Sequence, residues 1–199
     1  MVSKVTDSEP DLAKRSAKPT PGILESDEQK LVNACRNGAP DAQRELYQRH
    51  SEQIYRLVFR LVGPEHADDV TQQVFVRVLQ TIGQFRGRSA LSTWLYRLAT
   101  NEALQFLRKN NRHSTPTIAV DPVDHRASDG SRMEDRELLE QALSDLDPSL
   151  RAIFLLRELE QLSYHDIAHA LDIAEGTVAS RLNRARRLLK DWITARQRF

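Results

Sequence analysis

The sequence predicts an all-α protein of two small helical domains joined by a flexible linker. Three observations carry that reading. Apolar residues recur three and four apart over long segments, and no stretch alternates as a strand would. Glycine and proline fall between those segments, as at Gly63-Pro64. From about Asn110 to Arg132 the periodicity disappears and Pro116, Asp121, Pro122, Asp124, Asp129, Gly130 and Ser131 take over. The expected organisation is a disordered tail over 1–25, a first domain over 26–110, a linker over 111–132 and a second domain over 133–199.

In the first domain, Ser26 with Gln29 forms a capping box for a short helix that Gly38 can close. Pro40 begins a long helix with Leu46, Ile54, Leu57, Val58 and Leu61 inward. Glu65 to Ile82 is the third, with Val70, Phe75, Val78, Leu79 and Ile82 as its stripe and Gly83 as its stop. Residues 84–90 read as a loop, and Ser92 to about Lys109 as a fourth helix carrying Trp94, Leu95, Leu98 and Phe106. Beyond the linker, Met133–Leu146 and Ser149–Leu159 are helices, the second with Asp147 as N-cap and Pro148 at its first position.

The rest of the second domain is the most informative part. Ser163 followed by Asp166 resembles a capping box, Ile167 and Leu171 continue an inward stripe, and a turn through Ala174 leads to a helix opened at Glu175 or Thr177. Two helices joined in this way form a helix-turn-helix, whose second helix enters the DNA major groove. That second helix places Val178, Leu182, Ala185 and Leu189 inward, with Ser180, Arg181, Asn183, Arg184 and Arg187 outward. Gly176 allows close backbone approach of a phosphate at the positive helix end. A solvated basic helix is the plainer reading of the same residues.

Net charge is only +1, but it is unevenly spread. Residues 85–112 hold six Lys and Arg against one acid, and 176–199 hold seven against one; between them, 113–175 hold five against fourteen. Each basic block can neutralise phosphates locally, while the total suggests weak binding to bulk DNA without a larger partner.

The first basic block interleaves Phe85, Arg86, Arg88, Trp94, Tyr96, Arg97, Asn101, Arg108 and Lys109. Such a mixture suits a single strand, because an aromatic face stacks a base for roughly 1–3 kcal/mol while cations follow the backbone. Phe85 and Trp94 read equally well as core aromatics of a helical bundle.

Other chemistries find little support. His165-Asp-Ile-Ala-His169 imitates a zinc signature, but Asp166 already has a capping role and no third ligand is suggested. No metal, cofactor or catalytic constellation is expected, so the chain is not read as an enzyme. A single Cys35 excludes an intramolecular disulfide and fits a reducing compartment. No apolar run approaches the roughly 20 residues that span a bilayer, and the first two dozen residues lack the apolar centre of a signal peptide. A cytoplasmic protein without membrane insertion is the expectation.

Three segments together resemble a known family. Ala67-Asp-Asp-Val-Thr-Gln-Gln-Val-Phe75, Phe85-Arg-Gly-Arg-Ser-Ala-Leu-Ser-Thr-Trp-Leu-Tyr-Arg-Leu-Ala-Thr-Asn101 and Gly176-Thr-Val-Ala-Ser-Arg-Leu-Asn-Arg-Ala-Arg186 look like a bacterial sigma factor of the sigma-70 family, extracytoplasmic-function (ECF) group. The resemblance runs from about Ser26 to Trp192 and implies a region 2 helical bundle and a region 4 helix-turn-helix. It implies a protein that binds core RNA polymerase, through the β′ clamp and β flap, and directs promoter recognition, DNA melting and transcription initiation. Asp68, Asp69, Gln72 and Phe75 match the clamp-docking positions; Gln73 stands where the family usually has Glu. Phe85, Leu98 and Asn101 match positions around a flipped base of the minus-ten element, with Arg86, Arg88, Trp94, Arg97 and Arg108 completing that surface. Thr177, Ala179, Ser180, Arg181, Asn183 and Arg184 correspond to the minus-thirty-five reader, where Ala179 replaces a common basic residue; Gln105 replaces a common Asp. The resemblance also implies promoter DNA and an anti-sigma factor as partners, and an acidic middle, including Asp121, Asp124 and Asp129, lying across the polymerase. The alternative is a stand-alone helix-turn-helix regulator that binds duplex DNA unaided, which leaves the Phe85–Arg108 block unexplained.

Overall fold

The computed structural model describes residues 27–110 and 130–196, with side chains in the helix beginning at Gly130 described from 138 onward. The expected tail, most of the expected linker, Ser26 of the first capping box and the acids Asp121, Asp124 and Asp129 lie outside the described residues. Eight α-helices and one 3-10 turn make up the described elements, with no strand among them.

The first domain holds α1 (Glu28–Arg36), α2 (Pro40–Val62), α3 (Pro64–Thr81), a 3-10 turn (Ile82–Gln84) and α4 (Leu91–Asn110). The second holds α5 (Gly130–Asp145), α6 (Pro148–Glu158), α7 (Tyr164–Leu171) and α8 (Glu175–Arg196). The fifth helix therefore begins inside the stretch expected to be linker.

Helix α1 buries Leu31, Val32 and Cys35 on one face, and Arg36 at its end donates to the carbonyls of Ile82 and Phe85, pinning the loop that follows α3. Long helix α2 buries Leu46, Ile54, Leu57, Val58 and Leu61 as its spacing predicts, and stops at Gly63. Gly63 sits at φ 85°, a conformation that costs glycine little, and Pro64 then starts α3 without needing an amide hydrogen. The buried stripe of α3 is Ala67, Val70, Thr71, Val74, Phe75 and Val78. Leu79, read from sequence as part of that stripe, is 38% exposed: it follows Val78 by about 100° around the helix and points outward. Ile82 is buried, but from the 3-10 turn rather than from α3.

In the second domain Asp147 caps α6 by accepting from the amides of Ser149 (2.9 Å) and Leu150 (3.4 Å). The α7 cap also forms: the Asp166 amide donates to Ser163 Oγ at 3.0 Å, and Ser163 Oγ donates to Asp166 Oδ2 at 2.6 Å. Asp172 ends α7 in the left-handed region. Helix α6 is buried on almost every side, through Leu150, Arg151, Ala152, Ile153, Leu155 and Leu156. That is how a helix reads when it lies between partners. It packs on α7 and α8 within its own domain and also on α2 and α4 across the boundary, while α5 meets α2 and α7 meets α4. The two domains share a boundary of direct contacts.

Candidate nucleic-acid interface

Helix α4 shows how one element serves core and surface together. Its buried residues, Leu91, Thr93, Leu95, Tyr96, Ala99, Thr100 and Ala103, cover an arc of roughly 200° at about 100° per residue. Within the remaining arc of about 160°, Trp94, Arg97, Leu98, Asn101 and Arg108 fall within roughly 100° of one another. All five sequence-predicted α4 positions thus fall on one face, with Asn101 and Arg108 exposed and the other three half-buried. Just before this face, Arg86 and Arg88 are exposed on the loop, with Gly87 between them at φ 67°. Arg86, Arg88, Arg97 and Arg108 give the surface four guanidiniums suited to a phosphate backbone.

Phe85 stands apart. It is 5% exposed, inside the first domain's core, with its ring 5.6 Å from that of Trp94. Phe85 therefore forms the floor under Trp94, and Trp94 presents the accessible aromatic surface. His66 and Phe106 extend the aromatic packing on this domain, with centroids 4.8 Å apart.

On α8 the division is equally sharp. Val178, Leu182, Ala185 and Leu189 are buried, while Ser180, Asn183 and Arg184 are exposed and Thr177, Ala179 and Arg181 half-buried on the outward side. Ser180 Oγ donates to the Thr177 carbonyl at 3.1 Å, holding the first turn. A Cβ added at Gly176 would meet nothing within 4 Å, so the backbone there is open to a close approach. His165 Nδ1 lies 2.8 Å from Glu175 Oε1, which engages one half of the zinc-like pair with the start of α8. Arg186 is anchored to Glu158 at 2.6 Å and ties α8 to α6; Arg184 and Arg187 remain on the solvent side.

A third surface lies on α2 and α3. Asp68, Asp69, Gln72 and Phe75 line a single groove of ≈ 690 Å³. The sequence reading placed these four together but missed its apolar walls: Tyr47 is 50% exposed, Val76 51%, and Leu79 joins them. Tyr47 stands edge-on to Phe75 with centroids 4.7 Å apart. The available signal was phase, because Val76 and Leu79 are large apolar residues on the wrong side of the α3 stripe.

Comparison with known proteins decides the family. Residues 46–113 match Sigma-70 region 2 and residues 136–189 match Sigma-70, region 4. An ECF RNA polymerase sigma-E factor of Haemophilus influenzae is 34% identical over 179 residues, 83% of this chain and 95% of that protein. The chain belongs to the ECF sigma factors. As an alternative sigma factor it directs promoter-specific transcription initiation. The sigma-E factor of Escherichia coli K12 is 32% identical over 173 residues, 80% of this chain and 90% of that one. ECF sigma factor SigE of Mycolicibacterium smegmatis is 34% identical over 158 residues, 75% of this chain and 60% of that longer relative.

Solved structures share the fold of this sigma factor. CnrH, in complex with the cytosolic domain of CnrY, superposes with TM-score 0.63 at 23% identity, covering 84% of this chain and 97% of that one. RpoE of Bartonella quintana, in complex with the anti-sigma factor NepR, gives 0.65 at 22% identity over 76% and 96%. No described helix is long and apolar enough to cross a membrane.

Proposed function

We propose that this sigma factor divides initiation among three surfaces and performs no covalent chemistry itself. The groove bearing Asp68, Asp69, Gln72 and Phe75 docks on core RNA polymerase at the β′ clamp, while the region 4 domain rests on the β flap. The α4 face with Arg86, Arg88, Trp94, Arg97, Leu98, Asn101 and Arg108 takes unpaired minus-ten bases, with Phe85 supporting Trp94 from below. The α8 face with Thr177, Ala179, Ser180, Arg181, Asn183 and Arg184 reads the minus-thirty-five duplex, where an Arg can pair bidentately with guanine.

The single observation that carries this reading is the α4 division, in which residues suited to a single strand share one arc and the buried residues occupy another. Extruding a base costs a few kcal/mol of unstacking, and an aromatic surface edged by guanidiniums offsets part of that cost. The boundaries 26–110 and 133–199 are taken as the two functional domains, and the site of action as the cytoplasm. An anti-sigma factor is the expected regulator, as the relatives RpoE and CnrH were solved in complexes.

Run-off transcription with purified core polymerase tests the reading. Promoter-specific product should require both chain and core. A chain that shifts duplex promoter DNA unaided and yields no transcript with core would instead be a stand-alone regulator.

A further inference from the structure

Helix α1 carries a polar rail beside the loop that leads into α4. Gln29, Asn33 and Arg36 stand four and three residues apart, which puts them on one side of the helix, beside the buried face of Leu31, Val32 and Cys35. Asn33 Oδ1 is the hub, accepting from Gln29 Nε2 at 3.2 Å and from Arg36 Nη1 at 3.0 Å. The guanidinium held in this way reaches across to the loop, where Nε donates to the Ile82 carbonyl at 3.4 Å and Nη2 donates to the Phe85 carbonyl. Those two carbonyls bracket the 3-10 turn, whose own closing bond runs from the Phe85 amide to the Ile82 carbonyl at 3.2 Å. Gln29 flanks the next stretch: a Cβ on Gly87 would lie 4.0 Å from its Oε1. One side of α1 thus follows the loop from Ile82 to Gly87. Residues 86–88 are exposed, and glycine in their middle has more backbone freedom than any other residue. Charge-assisted bonds to backbone carbonyls are strong, and the fork of a guanidinium fixes two points where an ammonium fixes one. A loop set in place beforehand need not be ordered when its ligand binds.

We propose that Arg36 is a positioning residue for strand capture: by clamping the Ile82 and Phe85 carbonyls it sets Phe85, Arg86 and Arg88 beside the α4 face before the minus-ten strand arrives. The inference rests on the reading of that face as the single-strand reader. Each of the three Arg36 nitrogens already donates within the first domain, so Arg36 acts through the loop rather than on a phosphate. Asn33 and Gln29 in turn hold Arg36 at the right height along α1.

The test uses the full-length chain with Arg36→Gln, Arg36→Lys and Asn33→Ala, each checked for folding by circular dichroism. Hydrogen exchange reads the loop directly. Peptides covering residues 82–90 should exchange at least about fivefold faster in Arg36→Gln, while those from α2 keep their rates. Holoenzyme made from each chain is then titrated with a single-stranded minus-ten oligonucleotide, intact or abasic at each position in turn. Arg36→Gln should weaken capture of the intact strand about tenfold and shrink the penalty for an abasic position, with affinity for core polymerase unchanged. Arg36→Lys should recover part of the loss. Asn33→Ala, which loosens Arg36 without removing it, should shift exchange and capture the same way, and carries the test if Arg36→Gln unfolds. The salt slope should stay as it is, whereas loss of a phosphate contact lowers it by about 1. Unchanged loop exchange in Arg36→Gln overturns the clamp, as does faster exchange with capture and base discrimination intact, or a lowered salt slope. Arg97→Ala and Asn101→Ala separate the two readings. Where they weaken capture and Arg36→Gln does not, the clamp alone fails; where none of the three affects capture, the α4 reading fails and the clamp falls with it.

Discussion

Phe85 and Trp94 lie with their rings 5.6 Å apart and inclined at 53°, the first buried and the second half-buried. The pair therefore lets packing be separated from the proposed strand capture. Phe85→Ala should destabilise the fold by about 3–5 kcal/mol, as full truncation of a core aromatic does. Trp94→Leu should cost less in stability but weaken capture of a single-stranded minus-ten oligonucleotide by holoenzyme, by about 1–3 kcal/mol. Urea titration and fluorescence anisotropy give the two numbers. Capture unaffected by Trp94→Leu would show that Trp94 only packs.

Basic residues on the two proposed DNA faces should behave differently. Arg184→Ala is expected to cost about 1–3 kcal/mol at its matched promoter and to relax preference at one base position, as loss of a base contact does. Arg108→Ala should weaken binding of all sequences alike and reduce the salt slope by about 1, the signature of a lost phosphate contact. Holoenzyme binding measured over a salt series with wild-type and single-base-changed promoters distinguishes them.

Val76 is 51% exposed in the groove shared with Asp68, Asp69 and Gln72. Val76→Arg should change unfolding free energy by no more than about 0.5 kcal/mol, since surface substitutions rarely do more. Affinity for core polymerase should nevertheless fall at least about tenfold, roughly 1.4 kcal/mol. A melting curve and a pull-down titration with core polymerase would reveal either outcome.

Asp147 supplies the acid-sensitive cap. The Ser149 hydroxyl donates to it at 2.5 Å, and with the Ser149 and Leu150 amides it holds the carboxyl below the usual carboxylate range, against a smaller opposing effect of burial. A carboxyl depressed in the folded state contributes fully above its unfolded pKa, about 3.9, and loses that contribution as pH falls through its folded value. Unfolding midpoints from about pH 5 downward should fall faster for the wild-type chain than for Asp147→Asn, which keeps a capping oxygen without the charge. Parallel curves would show that Asp147 adds no acid sensitivity.

Much of each domain was legible because its signals are local. Gly63-Pro64, the Asp147 and Ser163 caps and the 3–4 spacing of Val178, Leu182, Ala185 and Leu189 depend on neighbours within a few turns, and each forms as read. Leu79 failed because an apolar residue one step out of phase looks like core until a groove is seen to use it. The boundary between domains was missed for a different reason. Nothing local to Arg151 or Glu140 signals burial, and only the neighbouring helix supplies the carbonyls and the guanidinium that permit it. One clue was present: α6 is apolar nearly all round, more than a single domain requires. The α4 surface was legible as a cluster, whereas the burial of Phe85 depends on the loop that Arg36 pins.

Cys35 lies in the α1 core, and burial, with the nearby Glu45 charge, raises its thiol pKa. Thiolate is the form that peroxide attacks, and this sulfur is both protonated and shielded. Oxidative stress therefore has no direct entry through the sigma factor's one cysteine. A promoter programme switched by thiol oxidation would have to receive that signal through another molecule.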